Sequence, residues 1–404
     1  MSLLAPRYRG LYVSLFTVFI LFGTSMTIVG ASLPKILADF SWSYGVAGAV
    51  IAASAAFYFL TSLAGGLILK RLGPKATSII GLALSASGLA FFASTPSALL
   101  NLAFNALVGG GQGLIEPTIN WSVIRMDEKG TGRAMNLMHG AFSIGAVAGP
   151  LILGLIMGAG LEWTILYRAI AVLFALLAAL IAMLPFETLG RGQREEAASA
   201  PQPRNLARRP TYWIGFACLL LYVGTELGIS NWIAEYFVRV FSTEPAIAAG
   251  MVSLFWIGLL AGRFGTPALY KGTRQDALLG LSSVLLVVAV LSLNLVGFTE
   301  GTRAPNYLGP SLTFLAGLGC SVIYPIAISL VGASSPDAQE SAVSFAVAGG
   351  GLGLFAFPFL MSWISQAWGI KAGFVGYGAL ACLTCVGSFT LACAFRKEKQ
   401  ERGA

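Results

Sequence analysis

Two glutamates lie well inside long apolar segments of the chain. Glu116 occurs in QGLIEPTINW and Glu226 in LLYVGTELGISNW, whereas nearly all other acidic residues fall in polar loops, tails or helix ends. Glu235 is nearer a predicted helix end, where we expect it to reach water. A charge inside a bilayer costs at least about 3 kcal/mol, so intramembrane acids usually serve a function. Since a buried carboxyl group can take up a proton near neutral pH, we predict that Glu116 and Glu226 bind a coupling proton or ion. Glu226 could instead contact solute, and a structural hydrogen bond is the alternative for each.

Polar residues flank Glu116 at helical spacing. Gln112 is four residues before it and Asn120 is four residues after it, so all three share one helix face. A sugar taken from water needs donors and acceptors for its hydroxyl groups. We therefore predict that this stripe binds solute, with polar contacts between helices as the alternative.

Aromatic residues and the single histidine supply further candidate solute contacts. Asn231 and Trp232 follow Glu226 on one predicted helix, and Trp256 and Tyr324 lie in two others. An aromatic ring offers a flat apolar face suited to the C–H face of a sugar. His139 is included because an unperturbed histidine side chain titrates near neutral pH. Packing within a helix bundle is the alternative for each of these residues.

Composition indicates that lipid is the main solvent. Of 404 residues, 56% are hydrophobic and 10% are charged, whereas soluble domains carry about 25% charged residues. Apolar segments of spanning length, about 20 residues, recur along the chain. The first is too long for a signal sequence and lacks a cleavage site, so we expect it to be retained. Twelve helices are predicted, at 11–36, 43–69, 75–94, 98–124, 132–158, 164–186, 211–240, 245–269, 275–297, 307–332, 339–366 and 371–395.

A polar, basic segment divides the predicted helices into two sets of six. We predict an N-terminal bundle at 1–188, a cytoplasmic linker at 189–210, a C-terminal bundle at 211–395 and a cytoplasmic tail at 396–404. With the N-terminus inside, twenty Lys and Arg residues fall on the cytoplasmic side and five on the other. This asymmetry predicts that both termini are cytoplasmic. It also explains the net charge of +8 without nucleic acid, so the expected partners are membrane lipid and a small solute.

Arg263, at the inner end of the eighth predicted helix, belongs to this cytoplasmic set. We interpret it as one of the residues that orient the chain in the membrane. A charge network with neighbours such as Asp276 is the alternative.

The two halves share an internal repeat. Residues 109–119, GGGQGLIEPTI, align with 317–327, GLGCSVIYPIA, at a shift of 208 residues. The same shift carries Gly145 to Gly353, and a shift of 201 carries Gly23 to Gly224. The proline after Glu116 recurs in the second copy and should bend both helices. The glutamate does not recur, which favours a functional role over a structural one.

Motifs for other kinds of chemistry are missing from the sequence. We find no P-loop, no Ser/His/Asp arrangement and no Cys or His spacing typical of a metal site. The five cysteines all lie in apolar segments. We therefore expect no enzyme activity, no metal site and no cofactor beyond a coupling proton or sodium ion.

Several motifs together resemble the major facilitator superfamily, and within it the fucose–galactose–glucose:proton symporter branch and related sugar transporters. They are GGLILKRLGPK, IEPTIN, AMNLMHGAFSIGAVAGP, LLYVGTELGISNWIAEYF and GLGCSVIYP. The resemblance implies sugar transport by alternating access. It places the family's helix 4 glutamate on Glu116, the following asparagine on Asn120 and a helix 5 glutamine on His139. This chain departs from the branch at Phe142, where the family has asparagine, and in FGTSMTIVGASLP, which lacks the family's first-helix acid.

These observations predict an all-α membrane protein with twelve transmembrane helices in two pseudo-symmetric six-helix bundles, the major facilitator fold. We expect a monomeric secondary transporter for a sugar or similar polar solute, coupled to H⁺ or Na⁺, in a bacterial inner membrane. An exporter of an amphipathic drug or lipid-like substrate is one alternative. A membrane sensor that binds solute without transporting it is another.

Overall fold

A computed structural model describes residues 6–127, 133–184, 186–189, 206–269, 274–299, 307–336 and 338–403. Across these ranges the structure is almost entirely helical and contains no strand, which confirms the predicted all-α fold. Most of the predicted linker, residues 190–205, lies outside the described residues. The helices are α1 Arg9–Phe40, α2 Tyr44–Phe91, α3 Ala98–Met126, α4 Arg133–Gly158, α5 Thr164–Met183, α6 Pro210–Val240, α7 Pro245–Leu269, α8 Gln275–Thr299, α9 Leu308–Cys320, α10 Ile323–Ser334, α11 Gln339–Trp368 and α12 Ile370–Gly403.

Eleven helical segments among the described residues are long and apolar enough to cross a membrane. The sequence predicted twelve spans. The structure has one fewer because its 48-residue α2 combines the second and third predicted helices. The two parts meet at Gly73, whose φ of 80° and ψ of 166° are not helical. Only a residue without a Cβ adopts this conformation at little cost, and Pro74 follows with its fixed φ. The two helices therefore follow each other directly, with a kink at Gly73 between them.

The tenth predicted helix is interrupted where the prediction had a continuous segment. It forms α9 and α10, separated by Ser321 and Val322. Pro325 has no N–H group, so the carbonyl of Ser321 loses its partner one turn later. The matching proline of the first copy, Pro117, lies inside the uninterrupted helix α3. The matched prolines Pro117 and Pro325 therefore have different effects on their helices.

The outer surfaces of these helices present many large apolar side chains. Leu155, Met183, Leu281 and Leu295 are all exposed, as are many other large apolar residues. Soluble monomers rarely expose apolar surface on this scale. Together with the eleven spans, this surface identifies an integral membrane protein.

The chain divides into two compact units. Unit 1 contains Met1–Trp42 and Ala49–Ala200, and unit 2 contains Ser43–Gly48 and Pro201–Ala404. Within unit 1, α1 packs most extensively on α4. Within unit 2, α6 packs on α11 and α12, and α9 packs on α7 and α8.

Glycines matched by the repeat make the same contact in each unit. A Cβ added at Gly109 would lie 1.9 Å from the carbonyl oxygen of Ser54, and one at Gly317 would lie 1.9 Å from that of Phe255. Ser54 and Phe255 are themselves separated by the 201 residues of the repeat. Each glycine therefore lets two helix backbones touch at the corresponding place of its unit.

A second matched pair repeats this arrangement. A Cβ at Gly145 would lie 1.8 Å from the Ile20 carbonyl oxygen, and one at Gly353 would lie 2.0 Å from the Leu220 carbonyl oxygen. These contacts join α1 to α4 in unit 1 and α6 to α11 in unit 2. The repeat found in the sequence thus corresponds to a repeated set of backbone contacts.

We predict that Gly258→Ala destabilises the protein by about 1–3 kcal/mol, the usual cost of overpacking a tight core. Its new Cβ would lie 2.1 Å from the Phe314 carbonyl oxygen. Gly250 lies in the same helix with nothing within 4 Å of a built Cβ, so Gly250→Ala is the matched control. Thermal unfolding in detergent should show a lower Tm for the first variant only, and equal Tm values would contradict the prediction.

Candidate functional site

In unit 1, Glu116 is half-buried on α3 and accepts a hydrogen bond from the hydroxyl group of Tyr58 on α2. A glycine one turn earlier brings the two helices together at this level. A Cβ at Gly113 would lie 2.3 Å from the carbonyl oxygen of Tyr58 itself. The contact between the backbones therefore places a neutral donor on the buried acid. No feature of the sequence identified Tyr58, because its partner depends on how the two helices pair.

The residues of the polar stripe on α3 have different surroundings. Gln112 is buried and donates from Nε2 to Ser25 Oγ of α1, 2.9 Å away. Asn120 is half-buried, and its Oδ1 atom accepts no hydrogen bond from any described residue. Gln112 thus contributes to helix contact, the alternative considered above, while Asn120 keeps an acceptor for another partner.

His139 lies exposed on α4 beside an aromatic cluster. Its ring centroid is 5.6 Å from that of Phe19, in an edge-on arrangement. Phe142, at the position where the family resemblance has asparagine, lies 5.7 Å from Phe22 and 6.3 Å from Phe19. This cluster, formed by Phe19, Phe22, His139 and Phe142, was not predicted because its members come from two separate helices.

In unit 2, Glu226 shares a buried network with the interruption between α9 and α10. The Tyr222 hydroxyl lies 2.8 Å from Glu226 Oε1 and 2.9 Å from the Cys320 carbonyl oxygen. A hydroxyl has one proton, so Tyr222 donates to one of these acceptors at a time. Tyr222 lies one helical turn before Glu226, and this spacing could have identified it from the sequence.

Arg263 of α7 also belongs to this network, contrary to its interpretation as an orienting charge alone. Its Nη2 atom lies 3.9 Å from Glu226 Oε1, and its Nε atom donates to the Ser321 carbonyl oxygen over 3.4 Å. Asp276, the alternative partner considered above, forms ion pairs with Arg274 and Arg396 instead. Arg263 reaches an acid because helix packing, which local sequence does not reveal, brings α7 beside α6.

The other predicted residues of unit 2 differ in their exposure. Trp232 is 1% exposed and Trp256 is 2% exposed, with Trp256 Nε1 donating to Ser230 Oγ over 2.9 Å. Asn231 and Tyr324 are half-buried, and the ring centroid of Tyr324 lies 6.3 Å from that of Tyr222. Tyr324 is therefore close to the Glu226 network, whereas both tryptophans are covered by packing in this structure.

The expectation that Glu235 reaches water was wrong. Its side chain is fully buried in unit 2 and accepts hydrogen bonds from Arg239 Nε at 2.8 Å and from the Tyr44 hydroxyl at 3.0 Å. Arg239 is one helical turn further along α6 and half-exposed. Position near a helix end thus did not predict solvent contact, because neighbouring side chains cover the carboxylate.

The described residues contain no group of three or more His, Cys, Asp or Glu side chains that could hold a metal ion. In unit 1 the described contacts join Glu116 to Tyr58, and His139 to the aromatic cluster. In unit 2 they join Glu226 to Tyr222, whose ring lies near that of Tyr324.

Several membrane-spanning helices that contain buried acids and other polar groups are typical of membrane transporters. A family model described as Major Facilitator Superfamily matches residues 15–309. This chain belongs to that superfamily of membrane transporters.

Relatives of known sequence are similar over most of their length. Bypass of stop codon protein 6 of Saccharomyces cerevisiae is 25% identical over 413 residues, covering 92% of this chain and 79% of the yeast protein. The glucose/mannose transporter GlcP of Bacillus subtilis is 22% identical and covers 88% of both chains. A glucose/galactose transporter of Brucella abortus biovar 1 is 24% identical and covers 82% of both.

Solved structures share the fold. A bacterial homologue of the human lysosomal transporter Spinster, inward-facing and unoccupied, superposes with a TM-score of 0.78 at 14% identity, covering 97% of this chain and 98% of that one. The fucose:proton symporter FucP of E. coli has a TM-score of 0.62 at 20% identity, covering 95% and 99%. These likenesses confirm the major facilitator fold predicted from the motifs.

We predict that Tyr222→Phe destabilises the protein by about 1–3 kcal/mol, since it leaves buried acceptors without their donor. Tyr307 is exposed, so Tyr307→Phe is the matched control and should keep the Tm of the unmodified protein. Thermal unfolding in detergent measures both. If the two variants unfold at the same temperature, the Tyr222 hydroxyl contributes nothing to this network.

Proposed function

We propose that this chain is a secondary active transporter that moves a sugar or similar polar solute by alternating access and is coupled to protons through Glu116. The observation that carries the proposal is the half-buried Glu116 carboxylate, whose described hydrogen-bond donor is the neutral Tyr58 hydroxyl. A neutral donor stabilises the carboxylate without holding it permanently ionised as a cation would. Glu116 can therefore gain and lose a proton during a transport cycle.

The proton is favoured over Na⁺ by the same contact. Hard cations are bound in proteins by several oxygen ligands at once. The hydrogen bond that the structure gives Glu116 comes from one hydroxyl group, that of Tyr58. One hydroxyl beside one carboxyl group suits the transfer of a proton better than the coordination of a metal ion.

Two features of unit 1 support a solute with both polar and apolar faces. Asn120 retains an unused acceptor, and His139 is exposed beside the rings of Phe19 and Phe142. Sugars present hydroxyl groups at their edges and C–H groups on their faces. Two of the relatives described above are named as glucose transporters, which supports the same class of solute.

A second candidate function is export of an amphipathic substrate. Phe142 occupies the position of the family's asparagine and packs into the aromatic cluster with Phe19 and Phe22. This replacement makes unit 1 more apolar there, which favours a less polar solute than a free sugar. Binding without transport, as in a membrane sensor, is the third possibility that the experiments below distinguish.

We further propose that the protein is a monomer in a bacterial inner membrane, with both termini in the cytoplasm. The distribution of Lys and Arg supports this orientation. Labelling of single cysteines introduced at each terminus, in intact and in permeabilised cells, would test it.

A solute screen tests the proposed class of substrate. Purified protein in proteoliposomes should exchange labelled glucose or fucose by counterflow, and the same sugars should raise its Tm. Counterflow of a lipophilic cation alone would favour the exporter. Sugar-induced stabilisation without counterflow would favour the sensor, and no response to any sugar would contradict the proposal.

We predict that Glu116→Gln retains counterflow but loses accumulation of sugar driven by a pH gradient. The amide keeps hydrogen bonding at this position but cannot exchange a proton. Glu162 is exposed, so Glu162→Gln is the matched control and should accumulate sugar normally. Undiminished accumulation by the Glu116→Gln variant would show that the proton binds elsewhere.

A further inference from the structure

Arg263 is a charged residue that the proposed function does not use. It lies on α7 inside unit 2, with 31% of its side chain exposed. One face of its guanidinium group approaches the Glu226 carboxylate of α6, and its Nε atom donates to the carbonyl of Ser321. A single side chain thus contacts both a buried acid and the interruption between α9 and α10.

The interruption creates the acceptor that Arg263 uses. Pro325 lacks an N–H group, so Ser321 has a carbonyl oxygen that no helical donor satisfies. Arg263 Nε supplies the missing donor over 3.4 Å. The planar fork of an arginine can serve two acceptors in fixed directions, which a lysine cannot do. Arg263 therefore contacts the chain three residues before Tyr324.

The same guanidinium group supplies the charge that Glu226 needs. The Glu226 side chain is only 8% exposed, and an isolated carboxylate so buried is strongly unfavourable. Arg263 Nη2 lies 3.9 Å from Glu226 Oε1, which is too far for a hydrogen bond but close for two opposite charges. The other titratable neighbours are Tyr222 on the same helix, Cys320 of α9 and Tyr324 of α10.

Glu116 and Glu226 thus have different partners. Glu116 has the neutral Tyr58 hydroxyl, and Glu226 has a guanidinium group in addition to the Tyr222 hydroxyl. The repeat places Ser62 of α2 where unit 2 has Arg263. A neighbouring cation favours the ionised form of a carboxylate, whereas a neutral hydroxyl leaves the carboxylate freer to exchange its proton.

We propose that Arg263 is a positioning residue that pairs with the Glu226 carboxylate and anchors the α9–α10 interruption, so that Glu226 is not a second proton-coupling site. This inference rests on the proposed function, in which the coupling proton binds Glu116. It revises the expectation that both glutamates take part in coupling. Arg263 thus joins the site through its positive charge and through its contacts with Glu226 and Ser321.

The test compares Arg263→Gln, Glu226→Gln and the double variant in proteoliposomes, with counterflow of labelled glucose measured from pH 5.5 to 8. We expect Arg263→Gln to reduce counterflow about tenfold or more at neutral pH, because it leaves a buried charge uncompensated. Counterflow should recover as the pH falls, since protonation of Glu226 removes that charge. The double variant should restore both the rate and the pH profile of the unmodified protein.

Two outcomes would overturn the proposal. In one, Glu226→Gln behaves like Glu116→Gln, with counterflow intact and accumulation driven by a pH gradient lost, which would make Glu226 a proton carrier. In the other, the double variant is no better than Arg263→Gln, which would mean that the two side chains act independently. Arg263→Lys, which keeps the charge but not the fork, should retain the normal pH profile with a reduced rate.

Melting temperatures of the same four proteins provide a readout that needs no solute. If the two charges form a pair, the Tm losses of the two single variants should add up to more than the Tm loss of the double variant. Additive changes would overturn the pairing even if no transported sugar is found. If no sugar is bound or transported but the Tm changes are non-additive, the proposed function is contradicted and the role of Arg263 is supported.

Discussion

The constraint on which this structure depends is that a carboxylate buried among apolar helices must have a partner. Three acids meet this requirement in three ways. Glu116 accepts from the Tyr58 hydroxyl, Glu226 faces Arg263 and Tyr222, and Glu235 binds Arg239 and Tyr44. The partner decides what each acid can do, because a neutral donor permits proton exchange and a neighbouring cation opposes it.

Backbone contacts through glycine place those partners. Tyr58 reaches Glu116 because Gly113 allows α3 to touch the backbone of α2 at Tyr58 itself. In unit 2, Gly258 and Gly317 bring α7 against α9 in the same manner. These contacts hold α7, the helix that carries Arg263, against α9. Replacing one of these glycines would move a charged side chain as well as create a steric clash.

Sequence patterns predicted the elements of this fold better than the contacts between them. Long apolar segments predicted the helices, and the repeated GGG/GLG motif predicted the two copies. The two isolated acids indicated where polar groups lie inside the spans. Helical period shows which residues share a face, but it does not show which helix lies opposite. For this reason the Glu226–Arg263 pair, the Tyr58 donor and the burial of Glu235 were missed. The interruption at Ser321 was missed because Pro117, in the matching position, lies in a continuous helix.

The repeat separates what the two units share from what distinguishes them. The shared features are glycine contacts, such as Gly109 with Gly317 and Gly145 with Gly353, which maintain the spacing of the helices. The acids are not shared, since Glu116 aligns with Tyr324 and Glu226 aligns with Ser25. Because glycines fix the framework, the residues between them can change without loss of the fold. A duplicated framework can therefore carry an acid bonded to a neutral tyrosine in one copy and an acid beside an arginine in the other.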